Sequence, residues 1–390
     1  MAGNQRIKQL RARMRALGLD AVVTMDTANL RWLTGWTEIF DSEQAHLALI
    51  TQTKACLHTD SRYSDGMLAK DKEGVWQIKL EPMGSFTGVA ATLAKSKKPT
   101  QRLGFEPTIQ LDLFKALKKA LAAGSGSRSG SGSGSGSGAG SGAGASGIKL
   151  VEIRDLFGEL RAVKDEEEIR ILKKAQKITD AAFTELLTWI KPGMSELEIA
   201  NRLEFSLRDQ GAEGVSFASI VASGPHAAVP HARPTKRRIK SGDFLTLDFG
   251  AQYLDYAADM TRTLVIGKAS DRQRQIYETV LLAQTTAKQG IKAGITGKQA
   301  HDLAVDVFEQ VGMAAYFTHT LGHGVGIDIH EMPRLGPKNT QPLLAGNVVT
   351  VEPGLYLPGF GGVRIEDFGL VTATGFTNFT KSNHQLIEII

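Results

Sequence analysis

Residues 124–147 consist of Gly, Ser and Ala, with Arg128 the only other residue type. A tract of this kind has almost nothing to bury and behaves as flexible coil. It splits the chain into two pieces, 1–123 and 148–390, and each must build its own core. The near-regular Gly-Ser alternation is that of a manufactured spacer or a stand-in for a loop, with a natural low-complexity insertion as the alternative, and neither carries chemistry. Both flanking pieces fall within the roughly 50–250 residues of ordinary domains. With 42% hydrophobic and 22% charged residues, each can enclose a core without staples.

Several function classes drop out on composition. The single cysteine, Cys56, excludes an intrachain disulfide and a Cys-based zinc site. The charge balance of +5, from 46 basic and 41 acidic residues, is spread along the chain and does not favour a nucleic-acid partner. No apolar run approaches the roughly 18–20 residues of a membrane span. Met1 to Arg6 opens into a basic amphipathic stretch without the apolar region of a secretory signal. The expectation is a soluble protein of the cytoplasm that binds neither membrane nor nucleic acid.

In the first piece, Ile7, Leu10, Met14 and Leu17 recur at helical spacing, and Gly18 follows as a stop. Strand-like runs follow at 21–25, 46–51, 54–59 and 75–81. Short helical stretches lie near 29–33 and 63–70, and a last helix covers 111–121. This alternation predicts an α/β layer domain. In the second piece, Ile169, Leu172, Ala175, Ala182, Phe183, Leu186 and Ile190 form one face of a long helix that stops at Pro192-Gly193. Ser195 with Glu198 makes a capping box for the next helix. Two further helices are expected at 271–292 and 298–311. Strands are expected at 244–248, 259–265, 348–352, 363–366 and 370–374. The grouping predicts an α+β domain around an antiparallel sheet.

The second piece also carries the chemistry. Asp248, Asp259, His323, Glu352 and Glu366 all sit at strand-like or loop positions. Four carboxylates and an imidazole are hard-to-borderline ligands, suited to Mn²⁺, Co²⁺, Fe²⁺ or Zn²⁺. Four such negative groups gathered in one place cannot all stay ionised uncompensated. Two divalent cations roughly 3.5–4 Å apart would neutralise them, bind a bridging hydroxide and polarise a carbonyl. Each residue also has a plain alternative. Asp248 can be a turn former before Gly250, and Asp259 can pair with Arg262. Glu352 can end a strand before Pro353, and Glu366-Asp367 can be a solvated edge. His323 stands out because its flanking Gly322 and Gly324 admit a close backbone approach.

The ordered segments LDFGA, ADMTRT, HTLGHGVGIDIHE, TVEPGLY and GGVRIED resemble those of the pita-bread metallopeptidase family, at intervals like those of prolidases. That family includes Xaa-Pro aminopeptidases, prolidases (Xaa-Pro dipeptidases) and methionine aminopeptidases, with creatinase as a metal-free relative. Asn29 to Gly35 and Thr59 to Tyr63 resemble the creatinase-like N-terminal domain of the Xaa-Pro-cleaving branch. Arg161 to Asp165, followed by Glu166 to Glu168, resembles the start of the catalytic domain. The resemblance implies a creatinase-like α/β domain at 1–123 and an α+β pita-bread catalytic domain at 148–390.

Residue by residue, the resemblance implies that Asp248 chelates one metal and that Asp259 and Glu366 bridge both. His323 and Glu352 hold the other, and Glu352 doubles as the acid/base. A neutral histidine ligand needs an acceptor on its second ring nitrogen, which the sequence does not identify. His231 matches a histidine that hydrogen-bonds the tetrahedral intermediate. His330 matches one that contacts the substrate amide and relays a proton. His319 resembles a pocket histidine that binds substrate.

Proline after the scissile bond makes a tertiary amide without an N–H, so its site needs an apolar face. Arg334 could grip the C-terminal carboxylate of a dipeptide with a bidentate fork, whereas an open pocket would admit longer peptides. Arg364 is expected to orient Glu366. The function implied is hydrolysis of Xaa-Pro bonds in dipeptides or at peptide N-termini by a dinuclear centre. Mn²⁺ is the first choice, with Co²⁺, Zn²⁺ or Mg²⁺ as alternatives. The rival readings are a methionine aminopeptidase-like specificity, creatinase-type hydrolysis and an inert module that binds peptide or protein. A homodimer follows from the resemblance alone.

Overall fold

The strand and helix signals of the N-terminal region converge on one mixed sheet. The structure is a computed structural model that describes residues 2–41, 43, 45–82, 84–96, 100–125 and 147–390. Nearly all of the Gly/Ser/Ala spacer expected at 124–147 lies outside the described residues. The chain divides into two units, Met1–Leu160 and Arg161–Ile390.

The first unit contains α1 (Ala2–Ala16), β1 (Ala21–Thr24), α2 (Thr27–Thr34), β2 (Leu47–Thr51), β3 (Ala55–Thr59), α3 (Ser64–Lys70) and β4 (Gln77–Leu80). It continues with α4 (Thr87–Ala94), β5 (Arg102–Phe105), α5 (Leu111–Ser125) and β6 (Lys149–Glu152). Strand order is β4-β3-β2-β1-β5-β6. The β1, β2 and β3 neighbours run antiparallel, whereas β4 on β3, β5 on β1 and β6 on β5 are parallel. The α/β expectation holds, and β1 is buried along its whole length. One boundary moves. The second domain was expected to start at Ile148, but Lys149–Glu152 completes the first sheet by pairing with Arg102–Phe105. Neither short strand is apolar enough to announce itself, so only the tertiary pairing reveals them.

The second unit opens with α6 (Leu156–Ala162), which runs across the boundary, then α7 (Glu166–Trp189) and α8 (Glu196–Asp209). Strands β7 (Gly214–Val215), β8 (Ile220–Ser223), β9 (Phe244–Phe249), β10 (Ala251–Tyr253), β11 (Tyr256–Ala257) and β12 (Met260–Ile266) follow. Next come α9 (Asp271–Gly290) and α10 (Gly297–Gln310), then β13 (Gly322–Gly324), β14 (Glu331–Leu335) and β15 (Val348–Val351). The remaining strands are β16 (Gly354–Leu357), β17 (Gly361–Arg364), β18 (Asp367–Val371), β19 (Phe376–Asn378) and β20 (Ile387–Ile389). The main sheets are β20-β12-β9-β8 and β14-β13-β15-β18-β19. All their pairings are antiparallel except β12 with β20, so the α+β expectation holds with one parallel edge.

Two helix pairs cover these sheets. Ile178, Phe183, Leu186, Ile199, Leu203 and Leu207 of α7 and α8 pack on Leu245, Leu247, Phe249 and Leu264. Ile276, Val280, Ala283, Ala304 and Phe308 of α9 and α10 pack on Val349, Val351, Leu355 and Val363. Each of the four helices starts with a capping box: Asp165/Glu168, Ser195/Glu198, Ser270/Gln273 and Thr296/Gln299. Such caps contribute about 1 kcal/mol each and fix where each helix begins relative to its sheet. Among the described residues, no helix is long and apolar enough to cross a membrane.

Two buried imidazoles make the first unit sensitive to pH. His58 Nδ1 donates to Glu81 Oε2 at 2.7 Å, and His46 Nδ1 bonds the Thr59 hydroxyl at 3.0 Å. Burial pushes both imidazoles below their ordinary range, in His58 despite the opposing pull of Glu81. The folded unit then binds fewer protons than its unfolded chain as pH falls below about 6.5, so it loses stability there. Trp32, Trp36 and Trp76 report on this unit. With Trp189 of the second unit replaced by Phe, the urea midpoint followed by tryptophan fluorescence should fall between pH values of about 7.5 and 5.5, and His46→Gln with His58→Gln should flatten that fall.

Candidate metal centre

Two antiparallel strand pairs each deliver two carboxylates to one place. Asp248 is the fifth residue of β9 and lies opposite Thr261 of β12, and Asp259 immediately precedes β12. Glu352 follows β15 and Glu366 precedes β18, in a pair where Val351 faces Asp367. His323 is the middle residue of β13, which bonds to β15. Its flanking glycines work as the sequence suggests. A Cβ on Gly322 would lie 2.2 Å from the Thr350 carbonyl oxygen, and one on Gly324 would lie 2.1 Å from that of Met332.

All five line one cavity of about 300 Å³ in the second unit, together with Phe217, Ile220, Pro230, Ile329 and Tyr356. Ligand atoms of Asp259, His323 and Glu366 all lie within 4.8 Å of one another, the one such group of three or more among the described residues. Glu352 adjoins that group, with Oε1 at 3.3 Å from His323 Nε2, while Asp259 Oδ2 lies 3.6 Å from the same nitrogen. Asp248 stands further along the wall. Its Oδ2 accepts a 2.5 Å bond from Arg364, and its Oδ1 is buried with no partner.

The surrounding bonds orient these ligands. His323 Nδ1 donates to the Gly324 carbonyl at 3.1 Å, which leaves Nε2 with a lone pair facing the carboxylates. That carbonyl is the acceptor the sequence left unidentified. Thr261 Oγ1 donates to Glu366 Oε2, and Thr350 Oγ1 donates to Glu352 Oε1. Arg364 differs from expectation. It does not bond Glu366 directly but reaches it through Thr261, whose hydroxyl it donates to at 3.0 Å. Its side chain also donates to Asp248, to the Tyr356 hydroxyl at 2.7 Å and to the Pro230 carbonyl at 3.3 Å.

Electrostatics supply the fit test for a metal. Burial first, then the neighbouring carboxylates, hold Asp259 and Glu366 well above the usual carboxylate range. Burial pushes Glu352 up to about 8, against the pull of Arg364. Burial drives His323 down to about 3, so it is a neutral imidazole with an available lone pair. Arg364 alone does not offset four carboxylates. A donor set of this type, with an orphaned Asp248 oxygen and mutually repelling acids, fits divalent cations.

The other expected residues also line the cavity. The His330 ring stands 4.3 Å from that of His323, edge to face, and burial lowers its pKa. His231 and Arg334 are exposed at the wall, and Arg334 lies across from His323 in the β13–β14 pair. His319 is more constrained than expected. Nδ1 bonds the Thr320 carbonyl at 2.8 Å and Nε2 bonds the Tyr356 hydroxyl at 2.9 Å, while burial lowers it to about 4. Neither of its nitrogens is left for a substrate. Tyr356 closes the TVEPGLY segment, but the segment alone assigns it no role, since only the fold brings its hydroxyl between Arg364 and His319.

A buried cavity of four acids and a neutral imidazole defines a metal-dependent hydrolase. Residues 170–373 match the model of metallopeptidase family M24, and residues 6–129 match the creatinase/prolidase N-terminal domain. An uncharacterized peptidase of Bacillus subtilis is 38% identical over 382 residues, covering 98% of this chain and 99% of the relative. The solved Xaa-Pro dipeptidase of Bacillus anthracis superposes with a TM-score of 0.87 at 36% identity, over 99% of each chain. The X-Pro aminopeptidase of Thermotoga maritima gives 0.81 at 32% identity, over 97% of this chain and 100% of that one. The chain belongs to metallopeptidase family M24, in its two-domain form with a creatinase/prolidase N-terminal domain.

If Arg364 aligns Asp248 for metal, Arg364→Met should weaken Mn²⁺ binding roughly 10–100-fold with secondary structure retained. Calorimetric titration of chelator-stripped protein with Mn²⁺ measures this, and unchanged affinity would remove Arg364 from the site.

Proposed function

We propose that this chain is a metallo-exopeptidase that hydrolyses Xaa-Pro bonds, with dipeptides as preferred substrates. The observation that carries this reading is the gathering of Asp248, Asp259, His323, Glu352 and Glu366 in one buried cavity. The names of the Bacillus anthracis and Thermotoga maritima relatives support the Xaa-Pro specificity.

Asp248, Asp259, His323, Glu352 and Glu366 would hold two divalent cations, Mn²⁺ in the first place. Such cations activate water at neutral pH and polarise a carbonyl. Glu352 takes the proton released by the attacking water and returns it toward the leaving nitrogen. Its environment, which favours protonation, suits a group that must hold a proton for part of the cycle. His330 and His231 line the cavity and would hydrogen-bond the substrate amide and the developing oxyanion. The proline ring has no N–H to satisfy, and Phe217, Ile220, Pro230, Ile329 and Tyr356 supply an apolar lining for it. Arg334, an exposed residue of the cavity lining, would grip a dipeptide carboxylate with two parallel bonds. An open pocket without that grip would favour the aminopeptidase reading. We place this activity in the cytoplasm and expect a homodimer.

Asp259→Ala and His323→Ala should each abolish release of proline from Gly-Pro and Ala-Pro while circular dichroism stays unchanged. Chelator-stripped protein should be equally inactive and recover with Mn²⁺. Full activity in any of the three would refute the metal mechanism. Arg334→Met should lower kcat/KM for Ala-Pro roughly tenfold or more, mainly through KM, and spare Ala-Pro-Pro. Equal losses on both peptides would assign Arg334 another role.

A further inference from the structure

The cavity reading leaves unexplained a cluster of buried charges just behind it. Glu331 opens β14, where side chains alternate in direction. His330 and Arg334 line the cavity, whereas Glu331 is turned away from it. Its carboxylate is met by Arg161 Nη2 at 2.6 Å on one oxygen and by Lys164 Nζ on the other. The three side chains are 6%, 7% and 1% exposed, in the order Glu331, Arg161, Lys164. Arg161 also bonds Asp328 Oδ2 at 2.7 Å, and the loop packs so closely that a Cβ on Gly326 would lie 2.4 Å from Glu331 Oε1.

The basic segment is anchored at its other side. The Lys164 amide donates to the Gly346 carbonyl at 2.9 Å, and the Asn347 side-chain amide donates to the Ala162 carbonyl at 2.9 Å. Asn347 immediately precedes β15, the strand that Glu352 follows. The charges thus tie the strand face bearing His330 and Arg334 to the strand that delivers Glu352. A buried ionic cluster is weak evidence for stability, because apolar replacements often serve as well. Its distinctive property is that desolvated charges tolerate few alternative positions, which fixes geometry.

We propose that Glu331, held by Arg161 and Lys164, acts as a positioning clamp that sets His330 and Arg334 against the metal ligands. The clamp touches no substrate and works through those two residues. It therefore rests on the proposal that His330 and Arg334 handle substrate.

A double-mutant cycle tests it on the Mn²⁺-loaded full chain. Glu331→Gln should lower kcat/KM for Ala-Pro on the order of 10–100-fold. Mn²⁺ content should stay at the wild-type level, and the loss on Ala-Pro should exceed that on Ala-Pro-Pro. In a His330→Asn background the same substitution should cost much less, because the group it positions is already gone. Losses that multiply independently would overturn the clamp, as would a loss that follows falling Mn²⁺ content. If His330→Asn alone leaves activity intact, the role given to His330 fails instead. The clamp then stands or falls on whether Glu331→Gln still shifts the Ala-Pro to Ala-Pro-Pro ratio of KM. Should Glu331→Gln not fold, Asp328→Asn removes one leg of the clamp at a half-exposed carboxylate and enters the same cycle. Independent losses there overturn the proposal equally.

Discussion

Mutual repulsion among four buried carboxylates is the constraint around which the catalytic unit is organised. Asp248, Asp259, Glu352 and Glu366 share one cavity, and the buried Arg364 guanidinium stands beside Asp248. Without further positive charge, burial and repulsion drive protons onto Asp259, Glu352 and Glu366. Such a cluster costs stability as it stands and recovers it on binding cations. The fold tolerates that cost because the acids lie at strand ends while the cores beneath the helices stay apolar.

The site is shared between two sheets, so its geometry depends on how they are joined. Arg262 makes much of that junction. It extends from β12 to the Glu366 carbonyl at 2.6 Å and to Asp367 Oδ1 at 2.8 Å. Asp367, fully buried, also receives Lys288, Asn378 and His384, and against the cost of burial Arg262 first, then the His384 hydrogen bond and Lys288, hold its carboxyl far below the usual range. The Thr263 hydroxyl donates to the Arg364 carbonyl, and the Glu366 amide donates to the Thr261 carbonyl. Asp259, just before β12, and Glu366, just before β18, thus flank strands joined by short bonds to the backbone, which hold position better than long side chains do.

The resemblance of the acidic and glycine-bracketed segments, in their order and spacing, was enough to single out five residues that the fold brings to one cavity. The paired glycines around His323 required a close approach, and the structure shows it in the contacts of Gly322 and Gly324. The long amphipathic helices were equally legible, since period and caps are local properties. Short strands such as Arg102–Phe105 and Lys149–Glu152 were not, because their stability comes from neighbours distant in sequence.

The sequence alone therefore determined the two-piece organisation, the helices and the identity of the acids and imidazole that meet. Tertiary structure alone decided what each of them faces. Arg364 meets Asp248 and not Glu366, His319 has both nitrogens occupied, and Gly324 supplies the acceptor for His323. It also decided that Arg161 and Lys164 are buried against Glu331. The physical reason is range. Spacing and residue type encode what a segment can form by itself, whereas partners a hundred or more residues apart are chosen by packing.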